Sequence, residues 1–324
     1  MEQQKILYLS RADVAGLELD MSTAIHLLEQ AFLEKAAGKV EMPTKLGIHT
    51  LPDAFSDAMP AYIPALNAAG MKWVSSYAGN NPRGLPNING LIILNDPETG
   101  IPYAVMDCTW ITGCRTGAAT ALAARFLARP DSRIAGIIAC GVQGRANLEA
   151  LAAVFPIQRA YAYDILPQVQ LRFIEEMSEK LGIEITGVGS PREAVVDSDL
   201  VVTSGPIQKS PDPTIEKDWL QPGAFASSID YGSYWKPEAL AQIEKLCTDD
   251  MAQYQSHRRD GYFPGTPLPY ADLGEIVSGQ KPGRQNEHER CLAMNLGMAL
   301  DDIAVAPEIY RRAKESGVGT WLTA

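Results

Sequence analysis

Apolar positions along the first 130 residues follow two periods. Residues 6–9 form a strand-length apolar run, and Ser10 or Asp13 is placed to cap whatever follows. Over 21–37, Ala24, Leu27, Leu28, Ala31 and Phe32 repeat as one stripe, which predicts an amphipathic helix closed by Gly38. From 42 to 94 the pattern changes to short runs broken by Gly, Pro and Asn. Strands are expected at 48–51, 59–63, 70–76 and 90–95, then a turn at 95–100 (NDPETG) and another strand at 102–106. This is α+β patterning with an antiparallel or mixed sheet. A long helix with small apolar residues, Ala118, Ala121 and Leu122, is predicted from Thr109 to about Leu127, closed by Pro130.

After Arg133 the rhythm becomes strand, turn, helix, strand. Residues 134–138 are apolar and are followed by Ala139-Cys140-Gly141-Val142-Gln143-Gly144. Leu148, Leu151, Ala152 and Phe155 then mark one helix face, and 160–163 form a second strand ending in Asp164. The acid stands 23 positions after Gly141. That order is the signature of a dinucleotide-binding βαβ unit, in which backbone N–H groups approach a pyrophosphate and the acid accepts from a ribose. Ala139 takes the place of the usual first glycine. Helices at 167–181, 191–197 and 237–243 alternate with strands at 183–188, 200–204, 224–230 and 245–249. A parallel, doubly wound sheet is expected. Periodicity over 287–313 (Leu292, Leu296, Ala299, Leu300, Ile303) predicts a final helical region that packs back on the first domain.

Composition changes this picture little. The 324 residues, 46% hydrophobic and 21% charged, are ordinary globular usage and enough for two domains. A net charge of −11 argues against nucleic acid as the main partner. No apolar run is long enough to span a membrane, and no secretory leader is visible, so neither membrane association nor export is expected. Five scattered cysteines without a C-x-x-C fit reduced thiols of a cytoplasmic protein. Four histidines with no ligand spacing give no expectation of a metal.

Five charged residues carry candidate chemistry. Lys72 lies inside a strand pattern between Met71 and Trp73, where a lysine is costly to bury alone. It is either an edge or solvent-facing lysine, or an amine that binds an anion or moves a proton. Arg115, before the small residues Thr116-Gly117-Ala118-Ala119, is either a surface ion-pair partner or a fork for a carboxylate or phosphate. Lys45, in MPTKLGIH, is the third cation of this region. Asp230 ends the strand GAFASSID, at the edge where open α/β sheets bind ligands; it suits proton transfer, or an ordinary Asx turn. Asp164, followed by Ile165 rather than a basic residue, favours NAD over NADP, because a 2′-phosphate would be repelled.

Taken together the chain resembles the ornithine cyclodeaminase/μ-crystallin family over essentially its whole length. The resemblance rests on MPTKLGIH, GMKWVS, GLIILNDPETGIPYAVMD, ITGCRTGAATALAARFLAR, GVQGR, DLVVTSG, WLQPGAFASSID and LGMALDDIAVAPEIYRRAKESGVGTWL. It implies an α/β fold: a Rossmann-type NAD-binding domain at 117–298, and a discontinuous α+β substrate and dimerisation domain at 1–116 and 299–324. It implies a homodimer. It implies an NAD(H)-dependent oxidoreductase of the C–N bond of a small amino or imino acid. Within the same family lie a cyclodeaminase using bound NAD catalytically and a non-catalytic ligand-binding protein, and both remain open here. By matching motifs, Lys45, Lys72 and Arg115 bind the substrate carboxylate, and Asp230 and Lys72 are catalytic. Cofactor contacts are expected at Arg115, Thr116, Gly141, Val142, Gln143, Gly144, Asp164, Ser204 and Asp230. Where the family usually has arginine this chain has Lys45, which weakens a bidentate carboxylate clamp.

Overall fold

The computed structural model describes residues 4–51 and 54–323. The chain divides into two compact units, Met1–Arg115 with Met298–Ala324, and Thr116–Gly297. The sequence expectation placed these divisions one residue later.

The first unit opens with β1 (Lys5–Leu9) and α1 (Arg11–Gly16). Ser10 and Asp13 form a capping box: the Ser10 hydroxyl accepts from the Asp13 amide, and the Asp13 carboxylate accepts from the Ser10 amide at 2.8 Å. Asp20 caps α2 (Met21–Ala36), whose inner stripe is Met21, Ala24, Ile25, Leu28, Ala31 and Phe32. A meander follows: β2 (Leu46–Leu51), β3 (Ala54–Ile63), β4 (Ala68–Tyr77), β5 (Ile88–Asn95) and β6 (Pro102–Asp107). The division between the units falls inside α3 (Thr109–Leu127).

The second unit alternates β7 (Ile134–Ile138), α4 (Val142–Ala152), β8 (Arg159–Tyr163), α5 (Pro167–Leu181), β9 (Glu184–Gly187), α6 (Pro191–Val195), β10 (Leu200–Thr203), β11 (Phe225–Ser228), α7 (Pro237–Leu240), β12 (Lys245–Thr248), α8 (Met251–Arg259), β13 (Ala271–Asp272), α9 (Leu273–Val277) and β14 (Cys291–Met294). Its sheet has the order β13-β12-β14-β11-β10-β7-β8-β9, every pair parallel. Strand order reverses between β7 and β10, the switch point where open α/β sheets bind ligands. This is a Rossmann-type, doubly wound sheet.

The chain returns to the first unit through α10 (Ala299–Ser316) and β15 (Thr320–Thr323). Here the structure corrects one expectation. Residues 291–294 are not helical; they are β14, an interior strand buried at all four positions. A four-residue apolar run buried on both faces has no period of its own, so the helical spacing of Leu292, Leu296 and Leu300 was coincidental.

The seven strands of the first unit lie in the order β15-β1-β6-β5-β4-β3-β2, mixed because β1 and β6 run parallel. α10 lies across β3, β4 and β5 and beside α2. It covers one sheet face, on which Met59, Ala61, Lys72, Val74, Ile92 and Leu94 are buried. On the opposite face Leu46, Ala58, Trp73 and Leu91 stand in direct cross-strand register, and Leu46, Trp73 and Leu91 are exposed. Among the described residues no helix is long and apolar enough to cross a membrane.

Candidate functional site

In the second unit, four adjacent strands end at one edge. The glycine turn follows β7, Asp164 follows β8, Ser204 follows β10 and Asp230 lies just beyond β11. The turn is tied to its neighbours. The Ala139 amide donates to the Tyr163 carbonyl at 2.9 Å, and the Cys140 amide donates to Asp164 Oδ2 at 2.8 Å. Asp164 Oδ1 accepts from the Leu166 amide at 2.9 Å. The Ser204 hydroxyl donates to the Ala139 carbonyl at 3.0 Å, so Ser204 braces the turn from the far side of the switch point.

This turn fits a dinucleotide. Gly141 is the N-cap of α4 and no side chain caps it, and a helix N-terminus of this kind suits an incoming anion. A Cβ at Gly141 would meet nothing within 4 Å, which leaves open space for a pyrophosphate. A Cβ at Gly144 would stand 2.5 Å from the Ala139 carbonyl oxygen, so only glycine lets the helix start this close to the strand end. Val142 and Gln143 form the first turn of α4, and Val142 is exposed. Arg145 is drawn away: it donates to Glu176 at 2.6 Å and to the Cys140 carbonyl. The small-residue start of α3 also has its explanation inside this unit. A Cβ at Gly117 would stand 2.4 Å from the Ala146 carbonyl, so α3 and α4 touch there, with Thr116 buried beside the contact.

Asp230 is fully enclosed. The Ser228 hydroxyl donates to Oδ1 at 2.8 Å and the Gly232 amide at 3.2 Å, whereas Oδ2 has no hydrogen-bond partner among the described residues. Burial pushes this carboxyl up to about 6, against the opposing pull of the Ser228 and Thr203 hydroxyls and the Gly232 and Ser233 amides. A buried carboxylate with one bare oxygen and a titration near neutrality is equipped to take and return a proton.

The first unit holds a second polar cluster, on the helix-covered face of its sheet. Lys72 on β4 stands between Met59 and Ile92 in register, with 1% of its surface exposed. Its ammonium meets Asp302 Oδ2 of α10 at 2.5 Å. Arg115 reaches the same carboxylate, Nε to Oδ1 at 3.3 Å, and also Asp301 Oδ2 at 3.5 Å. Burial and the Arg115 guanidinium hold the Lys72 ammonium below the usual lysine range, and Asp302 opposes both. Asp57 on β3 faces the same side, since it pairs with Val74 while Met59 pairs with Lys72. Burial raises its carboxyl, opposed by the influence of Lys45, His49 and Lys72.

The expected residues therefore fall into two groups: Lys45, Lys72 and Arg115 in the first unit, and Gly141, Gly144, Asp164, Ser204 and Asp230 along one sheet edge of the second. Sequence reasoning missed Asp57, Asp301 and Asp302. Only the alternation along β3, where Asp57 interrupts an inward-facing apolar series, offered a signal.

The profile of the ornithine cyclodeaminase/mu-crystallin family matches residues 5–317. Alanine dehydrogenase of Archaeoglobus fulgidus is 34% identical over 322 residues, 97% of either chain. Among solved structures, Δ1-pyrroline-2-carboxylate reductase of Thermococcus litoralis, in complex with NADH and L-proline, is 38% identical with a TM-score of 0.88. That match covers 97% of this chain and 99% of the other. An archaeal alanine dehydrogenase dimer with bound NAD is 33% identical, also at a TM-score of 0.88, over 99% of both chains.

Proposed function

The chain belongs to the ornithine cyclodeaminase/mu-crystallin family, and from that premise we propose how its residues work. It is an NAD(H)-dependent oxidoreductase acting on the C–N bond of a small amino or imino acid, as its relatives' activities and the turn around Gly141 and Gly144 support. NAD(H), when bound, takes or supplies the hydride at the carbon alpha to the carboxylate. The amides of the α4 N-terminus and the Thr116 side of α3 line the dinucleotide, Asp164 accepts from the adenosine ribose, and Ser204 keeps the turn in shape. The acid at Asp164 and the exposed apolar Ile165 beside it favour NAD over NADP.

Lys72 and Arg115, with Lys45, bind the substrate carboxylate. Both inner cations are almost wholly enclosed, so an acid that reaches them arrives without its water and is held more firmly than at a surface. Asp230 exchanges the proton at the substrate nitrogen. When the amine is oxidised, ionised Asp230 takes the proton that leaves as the C=N bond forms. When the imine is reduced, protonated Asp230 returns it. The observation that carries this assignment is the enclosed Asp230 carboxylate with its bare Oδ2, on the same sheet edge as the glycine turn.

The test is a substrate panel: purified protein with NADH and cyclic imino acids, then NADH, ammonium and 2-oxo acids, then ornithine and lysine. NADH consumption with the first or second group is expected. Ammonia release from ornithine or lysine without net NADH change would replace this reading with a cyclodeaminase. Binding without turnover would replace it with a ligand-binding protein.

We further propose a homodimer built on the bare sheet face that carries Leu46, Trp73 and Leu91, an apolar surface across neighbouring strands of the kind that marks an interface. A cytoplasmic location is proposed from five buried cysteines, none of them in a disulfide.

A further inference from the structure

Two cations enclosed side by side are a problem that the first unit has to solve. Lys72 and Arg115 lie against the same apolar sheet face, and each makes the other's charge more costly. Arginine keeps its proton in any protein setting, so the cost falls on Lys72. A neutral Lys72 amine would lose most of its hold on a carboxylate.

Asp302 touches both cations. Asp302 sits in the first turn of α10, fully buried, with Oδ2 on the Lys72 ammonium at 2.5 Å and Oδ1 facing Arg115 Nε at 3.3 Å. The other polar groups around Lys72 do not replace it. Asp301 turns to Arg115 and to the Met298 amide, at 3.5 and 3.1 Å. The Cys108 thiol, pushed by burial up to about 11, stays neutral. Asp57 lies one cross-strand position along and is shared with Lys45 and His49. Met59 and Ile92, the strand neighbours of Lys72, are apolar.

We propose that Asp302 is a positioning residue for the oxidoreductase reaction: its carboxylate bridges Lys72 and Arg115, keeps the lysine charged in its apolar surroundings, and fixes the geometry in which both meet the substrate carboxylate. This rests on the assignment of Lys72 and Arg115 to carboxylate binding. Asp302 does not touch substrate; it acts through the two cations.

The sign of the effect distinguishes this role from a structural one. Without Asp302, Lys72 titrates at lower pH, and substrate binding must then bring a proton with it. KM for the acid substrate should therefore climb about tenfold per pH unit above the displaced Lys72 titration. Below it, KM should approach the parent value. A packing defect would raise KM equally at every pH.

The experiment measures KM for the amino or imino acid, and separately the NADH affinity, from pH 5.5 to 9 in the parent and in Asp302→Asn. The parent is expected to hold a nearly flat KM over the range in which the variant's KM climbs, with NADH affinity unchanged between them. Asp302→Glu, which keeps the charge, is expected to follow the parent. A pH-independent KM in Asp302→Asn, or a climbing KM in Asp302→Glu, overturns the proposal. Lys72→Ala and Arg115→Ala separate the two levels. If they raise KM while Asp302→Asn does nothing, the positioning role fails and the carboxylate assignment stands. If neither alanine variant raises KM, both fail.

Discussion

Ala139 stands where a dinucleotide turn usually has its first glycine, and it adopts φ +71°, in the left-handed region that a Cβ disfavours. The sequence showed the substitution; it could not show that the backbone keeps the glycine conformation regardless. The bonds from Ala139 to Tyr163 and from Ser204 to Ala139 hold it there. Ala139→Gly is therefore expected to raise stability by about 1 kcal/mol, the left-handed penalty less the extra backbone entropy of glycine. Thermal unfolding measures this; a lowered midpoint would contradict it. Tyr231, directly after Asp230, is also left-handed at φ +58°, anchored by its hydroxyl on the Leu296 carbonyl at 3.0 Å. Strain of this kind gathers where a neighbouring side chain must be aimed, here Asp230. Legibility at this scale followed chemistry. Lys72 and Asp230 stood out because charge within or at the end of an apolar strand is costly. Asp301 and Asp302 did not, because acids in a helix's first turn are common and Arg115 lies 187 positions away from Asp302.

Elements with a clear period were readable and elements without one were not. α2, α3 and α5 were located to within a residue or two because a stripe, a cap or a proline bounded them, as Gly182 at φ +65° closes α5. β14 was misread because its four residues are buried on both faces. In the meander, short apolar runs located β4 to β6 and the second half of β3, but not which face α10 would cover, since Lys72 and Trp73 are adjacent and point opposite ways. The outcome, Lys72 inside and Trp73 outside, leaves Leu46, Ala58, Trp73 and Leu91 as a bare row. If that row is the dimer contact, Leu91→Glu places a charge at one end of it, beside Trp73, and weakens association by about 2–4 kcal/mol, roughly 30- to 1000-fold. Analytical ultracentrifugation of the parent and variant decides. A dimer unaffected by the charge would remove this face from the interface.

At the scale of the whole molecule, two chemistries are carried by two separately packed units. The doubly wound sheet of the second unit was legible because its βαβ rhythm is local, with Gly141 and Asp164 only 23 residues apart. The first unit was harder to read because its last helix and strand come from the far end of the chain, and its charge balance depends on them. Buried ion pairs such as Lys72–Asp302 add little net stability, and breaking one typically costs about 3–5 kcal/mol, so their presence calls for a functional account. The central claim is that Asp230 moves the proton at the substrate nitrogen, and the pH dependence of kcat/KM in both directions tests it most directly. With Asp230 titrating near 6, amine oxidation should fall as pH drops below about 6, because the base is protonated; imine reduction should fall as pH rises above about 6, because the acid is lost. Asp230→Asn should remove both limbs and about 10²- to 10⁴-fold of the rate while leaving NADH affinity unchanged. An Asp230→Asn enzyme with parental kcat/KM and both limbs intact would contradict the account.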